Sequence, residues 1–453
     1  MFKKILIANR GEIACRVARA ARGLGVKTVA VFSDADKDAL HVRACDEAVR
    51  LGPPPARESY LDMGKVLGAA KQTGAEAIHP GYGFLSEQAD FAQACADEGI
   101  VFVGPPPGAM RALKDKAQAR AVMRNAGVPI VPGSDGHVGE EVAAKAAAAS
   151  VGYPLLVKAA AGGGGIGMQV ARDEAELLKA LRACADRARA SFGKDAVYLE
   201  RYFEKPRHVE VQIMGDGHLT LAVGARECSI QRRHQKILEE APATAFVHPS
   251  PRPRLLQALL DAGLTAARAV GYANAGTCEF LLVGDEIYFI ELNARLQVEH
   301  PVTEATTGLD LVQLQLRIAA GEHLQFGQDD LKEPQGHAIE CRINAEDPVK
   351  FLPSPGKVSR FDTPVAADGA FHDGIRIDAG YRTGDTVTPF YDSLLAKIVT
   401  HAPTREQAIE RMRGALQKFV VEGVKSNIPL HQKILASEAF ARGELDTHFL
   451  ERL

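Results

Sequence analysis

The sequence predicts a protein of several domains with mixed α/β and α+β architecture, and three observations support this prediction. The chain has 453 residues, which at roughly 100–200 residues per domain indicates two to four domains. Apolar residues make up 46% of the chain and charged residues 25%, a balance typical of globular proteins with large cores. The N-terminal part alternates strand-like with helix-like segments, which is the pattern of a parallel sheet with crossover helices.

The N-terminal part is expected to form one parallel α/β domain, residues 1–113. Gly23 and Gly25 fit the end of its first helix and the turn that follows. We place strands at 5–8, 28–32, 77–78 and 100–103, and helices at 12–23, 61–73 and 89–98. The Gly- and Pro-rich run 104–108 then interrupts the pattern, so we place the first domain boundary after it.

Two further regions follow, at 114–333 and 334–453. The predicted helices are 143–150, 174–190 and 405–418, and the predicted strands are 153–158, 168–170, 197–200, 337–343 and 394–400. Segment 206–213 alternates polar with apolar residues. As a strand it places His208, Glu210 and Gln212 on one face and apolar residues on the other.

Composition argues against several classes of protein. The net charge of −3 lacks the basic excess of a general nucleic-acid surface. The seven cysteines are scattered without a C-x-x-C pair, which favours reduced thiols in a cytosol-like compartment. The N-terminal apolar run is too short for a signal peptide, and no apolar stretch reaches the ~20 residues of a membrane span. We therefore expect a cytoplasmic protein that binds neither nucleic acid nor membrane.

A glycine-rich loop follows Lys158 at the end of a predicted strand. Gly162 to Gly165 and Gly167 offer backbone amides that can approach phosphate oxygens closely, and the lysine adds a positive charge. Because a strand at Met168 follows, the loop fits a flap over a nucleotide better than a dinucleotide fingerprint, which opens a helix. The alternative is a surface hairpin that binds no ligand.

Two glutamates lie in neighbouring predicted strands, 277–283 and 287–293. If residues 284–286 form a three-residue loop, Glu279 falls opposite Glu291. Opposed carboxylates repel each other, and a divalent cation such as Mg²⁺ between them would remove the repulsion. A two-residue turn would place them on opposite faces. The alternative is that both lie in water or pair with arginines at the sheet edge.

Segment 293–301 repeats the alternation. If it is extended, Asn293, Arg295, Gln297 and Glu299 point the same way, and together they could hold and deprotonate a small oxyanion. The alternative is a surface strand with exposed charges.

Residues 231–236 carry four side chains that can be cationic, which suggests either an anion site or a solvated basic loop. Cys228 nearby is not expected to be a nucleophile, because nothing in the sequence singles out a base for it.

Together these segments resemble the biotin carboxylase family of ATP-grasp enzymes. The matching segments follow the family's order and cover essentially the whole chain: 7–14, 79–87, the glycine loop, 231–236 with 239–242, 291–301, 340–348 and 351–357. The resemblance implies an N-terminal α/β domain at 1–113, an ATP-grasp domain at 114–333 with a mobile lid at about 130–203, and a C-terminal biotin carboxylase domain at 334–453.

The resemblance also implies ligands and roles. The expected ATP-binding residues are Lys116, Lys158, Gly162, Gly163, Gly164, Gly165, Gly167, Met168, Glu200, Phe203, His208, Gln231, His234 and Leu281. Two Mg²⁺ or Mn²⁺ ions would be held by Glu279, Glu291 and Asn293. Bicarbonate would be held by Lys236, Arg295, Gln297, Val298 and Glu299. The expected catalytic residues are Glu299 as the general base, Arg342 for the biotin enolate, Arg295 and Lys236.

The implied reaction begins when bicarbonate attacks the γ-phosphate of ATP to give carboxyphosphate. This decomposes to CO₂ and phosphate, which deprotonates biotin. No Met-Lys-Met biotin-attachment sequence occurs, so biotin is expected on a separate carrier protein, with transfer to the acceptor by a carboxyltransferase subunit. The family suggests a homodimer. The acceptor stays open among acetyl-CoA, propionyl-CoA, methylcrotonyl-CoA and pyruvate.

Two other functions stay open at this point. One is an ATP-grasp ligase that joins a carboxylate to an amine, which would make an amide instead of carboxybiotin. The other is a non-catalytic nucleotide-binding regulatory subunit.

The glycine loop departs from the family pattern at Ala160, Ala161 and Ile166, the last of which replaces an arginine. Backbone contacts to phosphate can survive these changes, so we predict retained activity with altered affinity for ATP. Steady-state kinetics of Ile166→Arg would test this idea. A severalfold lower kcat/KM for ATP would contradict the view that Ile166 is merely a missing cation.

Overall fold

The structure is a computed structural model that describes residues 1–159, 168–192, 195–233, 235–331 and 333–453.

The N-terminal part is built on a parallel sheet. The first elements are β1 (Lys4–Ile7), α1 (Gly11–Gly23), β2 (Lys27–Ser33), α2 (Leu40–Ala44), β3 (Glu47–Gly52), α3 (Met63–Thr73), β4 (Ala77–His79), α4 (Ala89–Asp97), β5 (Val101–Phe102) and α5 (Pro107–Lys114). The strands pair in parallel in the order β3-β2-β1-β4-β5, as the alternation of strands and helices predicted.

A small three-stranded unit follows, with a core of its own. The elements of this part of the chain are α6 (Lys116–Asn125), α7 (Glu141–Val151), β6 (Leu155–Ala159), β7 (Met168–Ala171), α8 (Glu174–Phe192) and β8 (Val197–Arg201), and β6, β7 and β8 form the sheet. Strand β6 lies between β7 and β8, and apolar residues of the three strands pack against α7 and α8. These residues form an apolar cluster that is separate from the cores of the two large sheets.

A nine-stranded antiparallel sheet is the main element of the rest of the chain. Its first half comes from β9 (Arg207–Gly215), β10 (Thr220–Arg232), β11 (Gln235–Ala241), β12 (Asn274–Val283) and β13 (Glu286–Asn293). Four helices accompany these strands: α9 (Thr244–Val247), α10 (Pro253–Ala269), α11 (His300–Thr307) and α12 (Leu311–Ala319). Helix α10 packs on one face of this half, over a core that includes Phe280 and Phe289.

The C-terminal region completes the same sheet. Its elements are β14 (His337–Asn344), β15 (Gly356–Lys357), β16 (Arg360–Asp362), β17 (Phe371–His372), β18 (Ile375–Ala379), β19 (Thr386–Val387), β20 (Leu394–Ala402), α13 (Arg405–Lys418), β21 (Val420–Glu422), α14 (Ile428–Ala436) and α15 (Glu438–Ala441). The sheet order is β13-β12-β9-β10-β11-β14-β20-β18-β17, and two short pairs, β15-β19 and β16-β21, lie outside it. Strand β11 pairs with β14, so the sheet continues across the expected domain boundary at 334.

The predicted alternation in 206–213 is confirmed by β9. Val209, Val211 and Ile213 are buried in the core beneath α10, while Glu210 and Gln212 lie on the other face and are fully buried as well. The polar face of this strand is therefore covered by protein and must find its hydrogen-bond partners there.

The sequence did not reveal three N-terminal elements, α2, β3 and α5, the last of which begins within the Gly- and Pro-rich run 104–108. Residues of β3 are largely exposed until its last two positions, so the strand lacks the apolar alternation that would mark it. No helix in the described part of the chain combines the length and the apolar character that crossing a bilayer requires.

Candidate active site

A cleft of about 630 Å³ opens between the N-terminal sheet and the polar face of the nine-stranded sheet. The N-terminal part contributes the loop after β1 and the loop around Tyr82. The large sheet and the segment before α11 contribute charged and amide side chains. These are His208, Lys236, Glu279, Glu291, Asn293, Arg295, Gln297, Glu299 and Arg342. The sequence therefore predicted most of the polar wall of this cleft.

Lys236 is the most highly coordinated cation of the cleft. Its Nζ donates to Glu210 Oε2 at 2.5 Å, to Glu279 Oε1 at 2.7 Å and to Glu299 Oε1 at 2.7 Å. Burial alone would lower the pKa of this lysine, but the three carboxylates hold the pKa well above its ordinary value. The ammonium group therefore stays charged at the centre of three carboxylates.

Glu299 lies between two cations. Its Oε1 accepts from Lys236, and its Oε2 accepts from Nη2 of Arg342 at 2.9 Å. Burial would raise the pKa of Glu299, but Lys236 and Arg342 hold it well below the usual range. The side chain is thus an ionised carboxylate held between two cations.

Arg342 is itself anchored from behind. Its Nε donates to Glu239 Oε1 at 2.7 Å, so the guanidinium bridges Glu239 and Glu299. Burial raises the pKa of Glu239 to about 7, and Arg342 opposes this rise. The planar guanidinium fits such a bridge because its donors diverge in one plane.

Glu279 and Glu291 pair in register, but the predicted connection was wrong. The turn has two residues, since Val283 pairs with Glu286, and a straight ladder would then place Glu291 on the core face. A β-bulge between the Phe280–Phe289 and Glu279–Glu291 pairs inserts one extra residue and restores the opposition. Both carboxylates therefore line the cleft.

The donor set around these two glutamates fits a hard divalent cation. Glu279 Oε1 accepts from Asn293 Nδ2 at 2.9 Å, and Glu291 Oε2 lies 2.8 Å from Nζ of Lys116. Burial would raise the pKa of Glu291, but Lys116 holds it below its ordinary value, so both groups are ionised. Carboxylate and amide oxygens beside a cleft are the ligands that Mg²⁺ prefers.

Segment 294–299 is not the extended strand that the alternation predicted. The segment is made of bends and turns, and it leads directly into α11, whose first residue follows Glu299. Gln297 Nε2 nevertheless donates to Glu279 Oε1 at 2.7 Å, and Arg295 Nε lies 3.3 Å from Glu87 Oε2. Val298 presents its carbonyl to Lys397 Nζ at 2.9 Å. The residues of this segment that the alternation singled out reach the cleft through turns, so the predicted extended conformation was wrong although all of them line the cleft.

The expected nucleotide residues form a neighbouring group. Glu200 accepts from Lys158 Nζ at 2.9 Å and also pairs with Arg120, so this carboxylate orients the lysine. Phe203 stacks on Tyr288 with ring centroids 5.1 Å apart.

On the large sheet, Gln231 Nε2 lies 2.6 Å from His208 Nδ1, and Leu281 pairs with Tyr288 in register. Met168 begins β7. The predicted phosphate loop, Gly162 to Gly165 and Gly167, lies outside the described residues, as does His234.

Several residues that the structure places at the cleft had no role assigned from the sequence. Tyr82 donates its hydroxyl to Glu12 Oε1, and Lys397 Nζ lies 3.3 Å from Glu12 Oε2. Both Glu12 and Tyr82 belong to the segments that carry the family resemblance, which is the only signal that could have singled them out. Arg226, which lies behind the cleft, carried no signal.

Comparison with known families covers nearly the whole chain. Residues 1–110 match the biotin carboxylase N-terminal domain, residues 115–326 the ATP-binding domain of the carbamoyl-phosphate synthase L chain, and residues 340–452 the biotin carboxylase C-terminal domain. The chain belongs to the biotin carboxylase family. A biotin carboxylase of Haemophilus influenzae is 49% identical, with 100% of this chain and 99% of the relative covered. Biotin carboxylase 1 of Bacillus subtilis is 48% identical, with 100% and 98% covered.

Solved structures of the family have the same fold. A biotin carboxylase from Campylobacter jejuni, described as a complex with β,γ-ATP, superposes with a TM-score of 0.94 at 41% identity, covering 100% of this chain and 99% of that one. The biotin carboxylase domain dimer of Hydrogenobacter thermophilus 2-oxoglutarate carboxylase superposes with a TM-score of 0.93 at 44% identity, covering 100% and 98%. Its description names MgADP, ADP and bicarbonate as ligands. The predicted fold class is therefore confirmed.

The pH dependence of stability can test whether burial raises the pKa of the Glu12 carboxyl. Burial raises its pKa from 4.5 to about 7, and Lys397 opposes the rise. The folded protein thus binds this proton more tightly than the unfolded chain does, so the stability that the proton confers is present at low pH and lost as pH rises towards 7. The loss amounts to roughly 3 kcal/mol.

We expect the melting temperature of the wild type, relative to Glu12→Gln, to fall between pH 5 and pH 7 and to level off above. Calorimetric scans of both proteins at several pH values measure this difference. Two parallel curves would contradict the assignment.

Proposed function

We propose that the chain catalyses the MgATP-dependent carboxylation of biotin by bicarbonate. The observation that carries this proposal is the placement of Glu299 between Lys236 and Arg342, in the same cleft as the paired carboxylates Glu279 and Glu291. One part of the cleft suits a metal-bound nucleotide, and the adjacent part suits a small anion that must lose a proton.

We call the part of the cleft at Glu279, Glu291 and Asn293 the metal end, because its oxygen atoms suit a divalent cation. Glu279, Glu291 and Asn293 would hold a divalent cation, which would neutralise the negative charge that develops on the nucleotide phosphates. Lys116 and Lys158 both lie near Glu291 and would hold phosphate oxygens or the adenine ring. We propose that the glycine loop and the remaining predicted nucleotide residues, including Glu200, Phe203, His208, Gln231 and Leu281, complete the ATP site.

The anion end would hold bicarbonate. Lys236 and Arg295 supply positive charge, Gln297 supplies an amide, and the Val298 backbone borders the same space. Glu299 accepts the bicarbonate proton, and a bicarbonate oxygen then attacks the γ-phosphorus while ADP leaves. This is phosphoryl transfer, in which positioning and charge neutralisation provide most of the acceleration.

The second half of the reaction would use Arg342. Carboxyphosphate breaks into CO₂ and phosphate, and the phosphate takes the proton from a ureido nitrogen of biotin. That nitrogen attacks CO₂ while Arg342 stabilises the negative charge on the ureido oxygen. The guanidinium is available there because it lies at the cleft wall beside the base.

We also propose the wider setting. Biotin arrives on a carrier protein, a carboxyltransferase subunit takes the carboxyl group, and the chain acts as a homodimer; the dimer in the description of the Hydrogenobacter structure supports this last point. The functional domains would be 1–113, 114–333 with a lid at about 130–203, and 334–453. The separate core of the three-stranded unit supports a lid that moves as one body.

The decisive experiment measures ADP release by the purified protein with MgATP, with and without bicarbonate, and with and without free biotin. ADP formation that requires bicarbonate and increases with biotin supports the proposal, and isolation of carboxybiotin excludes an amide-forming ligase. ADP release that is independent of bicarbonate would overturn the substrate assignment. Tight ATP binding without any turnover, even with carrier protein supplied, would favour a regulatory subunit.

Glu299→Gln tests the base. The amide keeps the size of the side chain but cannot accept the proton, so bicarbonate-dependent ADP release should fall by a factor on the order of a hundred or more. The matched control is Glu322→Gln, at a glutamate whose side chain is 41% exposed, pairs with Arg317 and does not line the cleft. A loss below threefold in Glu299→Gln, or an equal loss in the control, would contradict the role.

Glu291→Gln tests the metal site. Loss of one carboxylate should raise the Mg²⁺ concentration for half-maximal ADP release by roughly tenfold or more, because each ionised ligand contributes strongly to binding of a hard cation. Glu286→Gln, an exposed position in the same hairpin, is the control. An unchanged Mg²⁺ requirement in Glu291→Gln would remove this residue from the site.

A further inference from the structure

Arg226 is a fully buried arginine on β10 that the proposed reaction does not use. Its guanidinium donates hydrogen bonds to five side chains drawn from β9, β12, α11 and the segment before α11. They are Glu210, Gln212 at 2.7 Å, Thr303 at 2.9 Å, Thr277 at 3.1 Å and Gln297 at 3.4 Å. A buried guanidinium carries a large desolvation cost, so such a complete set of acceptors is what makes its burial possible.

Two of these acceptors are shared with Lys236. Glu210 accepts from Arg226 through Oε1 and from Lys236 through Oε2 at 2.5 Å. Gln297 Oε1 lies 3.4 Å from both the Arg226 Nη2 and the Lys236 Nζ. The positions of Lys236 and Gln297, two residues of the proposed bicarbonate site, are therefore linked through Arg226.

The charges of Glu210, Lys236 and Arg226 also link Arg226 to the anion end of the cleft. Without a second cation, the Glu210 carboxylate would be neutralised by Lys236 alone, and less of the ammonium charge would remain for an anion in the cleft. Because Arg226 compensates Glu210 from behind, Lys236 does not have to balance that carboxylate alone and can balance Glu279 and Glu299 on the cleft side. Arg226 thus supports the attraction of the cleft for an anion without touching the anion.

We propose that Arg226 is a positioning residue for bicarbonate: it fixes Glu210 and Gln297 and adds a positive charge that offsets the Glu210 carboxylate behind the anion end. This inference rests on the proposed function of the cleft. It predicts a larger effect on bicarbonate than on ATP, because Arg226 contacts Gln297 directly and reaches Glu279 at the metal end indirectly, through Gln297 and Lys236.

The test compares KM for bicarbonate with KM for ATP in Arg226→Lys and Arg226→Met. Arg226→Met should raise KM for bicarbonate by roughly tenfold or more, since loss of a charge-assisted contact typically has an effect of this size. Arg226→Lys keeps the positive charge but loses the planar guanidinium with its several donors, so its KM for bicarbonate should lie between those of the wild type and Arg226→Met. KM for ATP should change by less than about threefold in both.

Arg405→Lys is the matched control, since Arg405 is also buried and bound to a glutamate. Its partners are Glu240 and the carbonyls of Phe440 and Ala441, none of which lines the cleft. This variant should lose thermal stability while the ratio of the two KM values stays that of the wild type.

Three results would overturn the inference. The first is a KM for bicarbonate within twofold of the wild type in folded Arg226→Lys and Arg226→Met, or in Arg226→Lys alone if Arg226→Met does not fold. The second is a parallel rise of both KM values, and the third is the same bicarbonate effect in Arg405→Lys. If instead the wild type shows no bicarbonate-dependent ADP release, it is the proposed function that fails.

Discussion

The arrangement of the cleft depends on the ammonium group of Lys236. Three carboxylates converge on it from separate parts of the chain: Glu210 on β9, Glu279 on β12 and Glu299 just before α11. Buried carboxylates at such short range repel one another strongly in a medium of low dielectric constant. Lys236 offsets this repulsion, and the cost of burying four charged groups is met by the hydrogen bonds among them. The site is held together by the same charges that would handle the substrates.

Such a network requires a rigid support, which the nine-stranded sheet provides. The apolar face of its first half packs under α10 with Phe280 and Phe289 in the core, so the strands cannot slide without opening that core. The opposite face of β9 carries Glu210 and Gln212, and both are satisfied by Arg226 on the neighbouring strand. A well-packed face therefore fixes the backbone, and a fully bonded polar face fixes the side chains.

How much of this the sequence could predict depended on the range of the interactions. The parallel sheet and β9 were predictable because alternation of elements and of residues is a local signal. The opposition of Glu279 and Glu291 was predicted through a wrong loop length, and a bulge that no local pattern marks produced the right pairing. Residues 294–299 showed alternation without forming a strand, since charge alternation is also compatible with turns. The contact between Lys236 and Glu299 joins residues 63 positions apart, and only tertiary structure or family resemblance can reveal it.

The two carboxylates that flank Arg342 differ in a way that bears on the order of events. Positive charge from Lys236, Arg342 and Arg226 outweighs burial and keeps the pKa of Glu299 well below its ordinary value, whereas burial and the nearby Glu299 raise the pKa of Glu239 to about 7. Near neutral pH, Glu299 is therefore ionised, while Glu239 is partly protonated and holds Arg342 less firmly than a full carboxylate would. When Glu299 accepts a proton, its own attraction for Arg342 also weakens. In the proposed reaction, this weakening of both carboxylate contacts would leave Arg342 freer to interact with the negative charge that develops on the ureido oxygen.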